Sequence, residues 1–247
     1  MEYLIDSERS IIPALDVRTL NQLATVVSVC STFKQVYAYK VGFSLALRYS
    51  LPVVVSAIKR LDNGAKVIYD YQKAGTDIPD VAGEFAAVMK ESGVDAAIIF
   101  PQAGPVTQEA FIKALQDAHV HVICGGEMTH KGYLVSDGGY IADDAPEKMY
   151  RIAAKLGIRD FVVPGNKVDR IKLYQGVFKN EGVNDVVLYS PGFINQDGKL
   201  SDATKVGGKR WHAIVGRAVY NPRKRQNLNC VTKKEIHDSL ETLVANL

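Results

Sequence analysis

Eight short apolar, β-branched runs recur along the chain, and stretches with helical periodicity separate them. The runs are Ile11 to Leu15, Val36 to Val41, Ala65 to Tyr69, Ala96 to Phe100, His119 to Cys124, Asp160 to Val163, Val186 to Tyr189 and Ala213 to Val215. Between them, apolar residues fall at helical spacing, as in Val81, Phe85, Val88 and Met89, or Val106, Phe111 and Leu115, or Met149, Ile152 and Leu156. Strict strand and helix alternation implies parallel strands joined by right-handed crossovers. Eight such units in about 250 residues is the arithmetic of an α/β fold of the (β/α)8 TIM-barrel type. A doubly wound open sheet is the structural competitor.

No Pro/Gly-rich linker, charge block or low-complexity segment divides the 247 residues, so residues 1–247 are expected to form a single barrel domain. Hydrophobic residues make up 47% and charged residues 23%, which excludes a disordered chain. The surplus of +3 is too small for a nucleic-acid carpet. Cys30, Cys124 and Cys230 are odd in number and far apart, which points to a reducing compartment and no zinc site. The start, MEYLIDSERS, lacks a basic region followed by an apolar stretch, and no run is long enough to span a bilayer. A cytoplasmic protein without membrane contact is expected.

In such a barrel, chemistry gathers where strands end. The first run ends in Asp16, the second contains Lys40 before Val41-Gly42, and the third ends in Asp70, with Lys73 and Asp77 close behind. The fifth runs into Gly125-Gly126-Glu127-Met128-Thr129 and opens an irregular stretch to Ala145, long enough to read as a functional loop. Lys40 lies inside an apolar strand, where an ammonium needs a partner that Asp70 or Asp77 could supply. Ser190-Pro191-Gly192, Gln196 and Gly216-Arg217 bring backbone N–H groups, an amide and a guanidinium to the usual phosphate position after strands seven and eight. The rim therefore reads as a site for a phosphorylated ligand.

With these residues in view, the chain resembles the orotidine 5'-monophosphate decarboxylase family over nearly its whole length. The matching pieces stand in the family's order. They are Ala14-Leu15-Asp16, Lys40-Val41-Gly42, the block of Asp70, Lys73 and Asp77-Ile78-Pro79, Glu127-Met128-Thr129-His130, Val162-Val163-Pro164, Ser190-Pro191-Gly192 with Gln196, and Ile214-Val215-Gly216-Arg217. One departure matters. The family's usual Asp-x-Lys-x-x-Asp signature is lengthened here to Asp70-x-x-Lys73-x-x-x-Asp77. In an extended strand the residue sharing a face with Asp70 is Gln72, so Lys73 reaches the ligand only if the backbone bulges, and Gly75 suits the turn that absorbs the second extra residue. We expect the bulge, with Lys73 and not Gln72 in the lysine's place.

The resemblance implies cofactor-independent decarboxylation of orotidine 5'-monophosphate to uridine 5'-monophosphate, a step of pyrimidine biosynthesis. Lys40, Asp70, Lys73 and Asp77 would be the catalytic charges, with Lys73 protonating C6. Lys40 and Asp77 would also bind ribose hydroxyls, with Asp16 beside them. Thr129 would read the pyrimidine amide, Met128 and Pro164 would belong to the substrate-binding set, and Gln196, Gly216 and Arg217 would hold the phosphate, under a loop from Asn195 to Lys199. The family's dimer implies that Asp77 and Ile78 act in the neighbouring subunit's site. The family often places a threonine four residues beyond the aspartate, where this chain has Val81.

Two alternatives stand beside that reading. One is a magnesium-dependent sugar-phosphate decarboxylase or aldolase of the same superfamily, such as a keto-gulonate-phosphate decarboxylase or a hexulose-phosphate synthase. Those enzymes typically carry a glutamate where Lys40 stands, and a lysine there repels a divalent cation. The other is a barrel that binds pyrimidine nucleotides without turning them over. Elsewhere, His119 and His121 lack a third metal ligand, Arg223-Lys224-Arg225 lacks interleaved aromatics and reads as a solvated face, and no dinucleotide fingerprint or P-loop is present.

Overall fold

The computed structural model describes residues 2–71, 75–193 and 200–247, without the side chain of Cys230. The elements run β1 (Arg9–Pro13), α1 (Leu20–Cys30), β2 (Ala38–Gly42), α2 (Phe43–Tyr49), α3 (Leu51–Leu61), β3 (Lys66–Asp70), α4 (Ala82–Glu91), β4 (Ala96–Ile99), α5 (Pro105–Asp117) and β5 (His121–Gly125). They continue as α6 (Ala145–Lys155), β6 (Asp160–Val162), α7 (Val168–Asn180), β7 (Val187–Ser190), α8 (Leu200–Val206), β8 (Arg210–Val215), α9 (Arg217–Tyr220) and α10 (Lys233–Val244).

All eight strands are parallel and each neighbours the next in sequence, in the order β1-β8-β7-β6-β5-β4-β3-β2. A doubly wound sheet would reverse that order midway. The remaining gap is closed by bridges Ile11↔Val36 and Ala14↔Lys40 and by a hydrogen bond from the Leu15 amide to the Lys40 carbonyl at 2.8 Å, completing the barrel.

Strand alternation divides the apolar residues into two cores. Ile12, Ala38, Ile68, Ile98, Phe100, Ile123, Val162 and Ile214 point inward and fill the barrel. Val41, Val67, Ile99, Cys124, Phe161 and Leu188 point outward and pack beneath the helices. Burial of each large aliphatic side chain contributes about 1.5–3 kcal/mol. Gly125 faces the interior because a Cβ there would sit 2.3 Å from the Phe100 ring. At the lower end Leu4 and Ile5 are buried in the inner core, so the amino-terminal segment stoppers the barrel. Tyr3 beside them stacks under the guanidinium groups of Arg159 and Arg210, at 4.2 and 3.5 Å from its ring centre.

The boundaries differ from the sequence reading most at β8, which begins at Arg210 and not at Ala213. His212 hides the strand's start because it is polar, yet it is fully buried with Nδ1 2.8 Å from the Ser10 hydroxyl. The tail forms a closing helix, α10. Thr232 and Glu235 make a capping box at its start, and Ile236, Leu240 and Leu243 are buried. The stretch after β5 is largely irregular, with one 3-10 turn at Val135–Asp137 and a bridge between Leu134 and Ile141. No helix among the described residues is long and apolar enough to cross a membrane.

Candidate active site

Parallel strands deliver their last residues to one rim, and the barrel's register decides which charges meet there. Ala14 lies beside Lys40, and Gly42 beside Asp70. The Lys40 ammonium accordingly sits 2.9 Å from Asp70 Oδ2 and 3.6 Å from Asp16 Oδ1. Burial alone would lower the Lys40 pKa, but the two carboxylates outweigh it and hold the ammonium charged well above its ordinary value. The second partner of Lys40 in this chain is Asp16 and not Asp77, because β1 and β2 adjoin whereas Asp77 lies beyond a turn. Gly42 leaves room for that contact: a Cβ there would approach Asp16 Oδ1 to 3.1 Å. The other oxygen of Asp70, Oδ1, is buried and has no hydrogen-bond partner among the described residues.

These charges border a cavity of about 240 Å³. Its floor is apolar, from Ile98, Phe100, Val162 and Ile214, and one side carries Met128 and Thr129. Pro191, Gly192, Gly216 and the exposed Arg217 form the far corner. The Ser190 hydroxyl accepts from Trp211 Nε1 at 2.9 Å, so the turn after β7 presents backbone to that corner. The arrangement offers an apolar floor, a carboxylate at one side and a guanidinium at the far corner.

The structure thus gathers Asp16, Lys40, Asp70, Met128, Thr129, Gly216 and Arg217 around one cavity. Pro164 is buried but does not line it, and its carbonyl accepts the Lys167 amide at 3.0 Å. Asp77 and Ile78 are exposed and also lie outside this chain's cavity, with Asp77 Oδ1 accepting the Ile78 amide at 2.8 Å. Gln72, Lys73, Gln196 and the rest of the Asn195 to Lys199 loop lie outside the described residues. Gly75, which follows the first of these gaps, has φ +86°, and a Cβ there would lie 2.9 Å from Pro101 Cα. Only glycine makes that turn against β4's exit.

Sequence reasoning gave Glu127 no role and missed its partners. Glu127 is almost wholly buried in the cavity wall. Its carboxylate takes Lys167 at 2.8 Å, Arg170 at 2.6 Å and the Tyr174 hydroxyl. Lys167 Nζ also donates to the Met128 carbonyl at 3.1 Å, and Asn166 Nδ2 to the Thr129 carbonyl at 3.0 Å. The turn after β6 therefore pins both residues on the cavity's side wall. The available signal was a glutamate amid apolar and glycine residues, with two cations three apart at the start of a later helix.

The other polar features resolve away from the site. His121 pairs with Asp160 at 2.9 Å, at the opposite end of the barrel. Arg223 and Arg225 share the Glu235 carboxylate at 3.0 and 2.5 Å.

A family model described as orotidine 5'-phosphate decarboxylase / HUMPS family matches residues 9–227, which takes in every strand of the barrel. The chain belongs to the orotidine 5'-phosphate decarboxylase / HUMPS family. Among similar family members, orotidine 5'-phosphate decarboxylase of Methanosarcina barkeri is 29% identical over 216 residues, covering 87% of this chain and 89% of the relative. The orotidine 5'-phosphate decarboxylase of Methanocaldococcus jannaschii is 28% identical over 218 residues, covering 85% and 92%. The crystal structure of orotidine 5'-monophosphate decarboxylase from Methanocaldococcus jannaschii complexed with the inhibitor BMP superposes with a TM-score of 0.77 at 26% identity, covering 96% of this chain and 99% of that one.

Proposed function

We propose that this protein is an orotidine 5'-monophosphate decarboxylase that forms uridine 5'-monophosphate without a cofactor, as a single barrel unit over residues 1–247 working in the cytoplasm. The observation that carries the reading is the Asp16–Lys40–Asp70 cluster over an apolar floor, with one buried Asp70 oxygen free of partners among the described residues. The carbanion left at C6 cannot delocalise into the ring, so catalysis rests on fixed charges. Asp70 stands beside the departing carboxylate, where the repulsion is relieved as carbon dioxide leaves. Lys73 attracts the developing negative charge and then protonates C6. Lys40 holds Asp70 in place, Asp16 takes the ribose, Met128 and Thr129 meet the base, and Gln196, Gly216 and Arg217 take the phosphate; Pro164, which does not line the cavity, has no part in the base contact. Binding energy from the phosphate orients the ring at the far end of the cavity.

The protein works as a homodimer in which Asp77 and Ile78 complete the partner's site. Ile78 is 58% exposed and Val106, which lines the same shallow cavity, 69%, so the surface around Asp77 is apolar enough to be covered. Mixing Lys73→Ala with Asp77→Ala protein tests this. Half of the dimers are then mixed and each of these carries one intact site of two, so about a quarter of the wild-type activity should return from two inactive parents. No recovery would refute action across the interface.

Loss of orotidylate absorbance, followed with and without chelator, tests the reaction. Equal rates are expected, because Lys40 already occupies the position next to Asp70 that a divalent cation would need. A rate abolished by chelator selects the magnesium-dependent sugar-phosphate branch, and tight uridylate binding with zero turnover selects a binder. Lys73→Ala should remove nearly all turnover while Gln72→Ala is mild; exchanged effects would place Gln72 in the lysine's position.

A further inference from the structure

Beside the nucleotide cavity lies a second one, of about 460 Å³, within the range of ligand pockets of about 300–1,000 Å³. The two share Asp16, Arg217 and Tyr220 as a common wall, so the second begins where the first ends its phosphate corner. Arg18, Thr19 and Gln226 line its outer part.

Its charge balance favours an anion. Arg18 and Arg217 both face it, and neither has a carboxylate partner among the described residues. The carboxylate in the wall, Asp16, is already shared with the Lys40 ammonium at 3.6 Å. Arg223 and Arg225 do not line it and both turn to Glu235, so the cations that face this cavity are Arg18 and Arg217. The start of α1 adds to it: Thr19 is the N-cap, and the first turn of that eleven-residue helix contains no acid to offset the dipole.

We propose that this cavity takes the terminal phosphate of a pyrimidine nucleoside 5'-diphosphate, so that the product of the reaction, once phosphorylated further, competes with orotidylate. This rests on the reading above in which Arg217 holds the 5'-phosphate. Arg217 then bridges two phosphates and Arg18 holds the outer one with charge-assisted hydrogen bonds. Uridine 5'-monophosphate has no group that reaches Arg18.

The test is competitive inhibition of orotidylate turnover by uridine 5'-diphosphate and uridine 5'-monophosphate, in wild-type protein and in Arg18→Ala, Arg18 being an exposed residue. The proposal expects the ratio of the diphosphate to the monophosphate inhibition constant to rise about tenfold in the variant, with Arg18→Lys restoring part of it. Monophosphate inhibition and kcat/KM for orotidylate should stay within about twofold, since Arg18 touches neither. A ratio unchanged by Arg18→Ala overturns the proposal. Failure of the underlying function looks different: neither turnover nor uridylate binding in wild-type protein.

Discussion

Both mouths of the barrel are lined with charge, and they differ in what those charges are tied to. At the amino end, the buried Asp160 receives His121 at 2.9 Å, the Tyr189 hydroxyl at 2.9 Å and Arg159 at 3.8 Å. At the carboxyl end, Asp70 is paired through one oxygen only among the described residues, Asp16 is half exposed, and Arg18 and Arg217 face open cavities. The same residue types serve as closed cross-links below and as available groups above. A buried charge whose partners are all protein groups stabilises the fold, whereas one left with an open bond is poised for a ligand.

The same chemical change made at each end separates the two roles most sharply. Asp70→Asn should cost about 10³-fold in turnover with little change in melting temperature, because the amide oxygen still accepts from Lys40. Asp160→Asn should do the reverse. Stability falls by about 3 kcal/mol, read by urea unfolding, while turnover per folded molecule stays within about twofold. If both variants lost activity and stability together, the division between the mouths would be wrong.

A smaller effect comes from His212, just above Asp160's layer. Burial first, then the charges of Arg210 and Arg9, push its pKa from 6.5 down to about 3. The folded chain therefore refuses a proton that the unfolded chain accepts below pH 6.5. Stability is unaffected above that pH and falls by up to about 1.4 kcal/mol per pH unit beneath it, until the folded pKa is reached. His212→Gln should flatten this acid limb in unfolding measured between pH 4 and 7, and an unchanged slope would assign acid sensitivity elsewhere. Smallest of all, Thr232→Ala should cost about 1 kcal/mol through loss of the cap on α10, with no kinetic consequence.

The strands were legible because each is a short apolar run that stays buried on both faces. Lys40 was legible as a site residue for the same reason, since an ammonium inside such a run demands a counter-charge. Its pairing with Asp16 was not, because it depends on how β1 and β2 close the barrel, a register no local pattern encodes. Glu127 and its cations escaped notice because 40 and 43 residues separate them from Lys167 and Arg170, and only the adjacency of β5 and β6 brings them together. His212 was passed over when the last strand was read as beginning at Ala213: a polar residue interrupts an apolar run on paper, while in the barrel its Nδ1 pairs with the Ser10 hydroxyl.

The grip of Asn166 and Lys167 on the carbonyls of Thr129 and Met128 has a bearing on how nucleobase preference could be re-engineered. The wall proposed to meet the ring is clamped from behind, so exchanging Thr129 alone alters one side chain on an unmoved surface. Re-aiming the wall itself has to begin a strand away, at Asn166 and Lys167, which do not line the cavity, and Glu127 must be given a new counter-ion whenever Lys167 is changed.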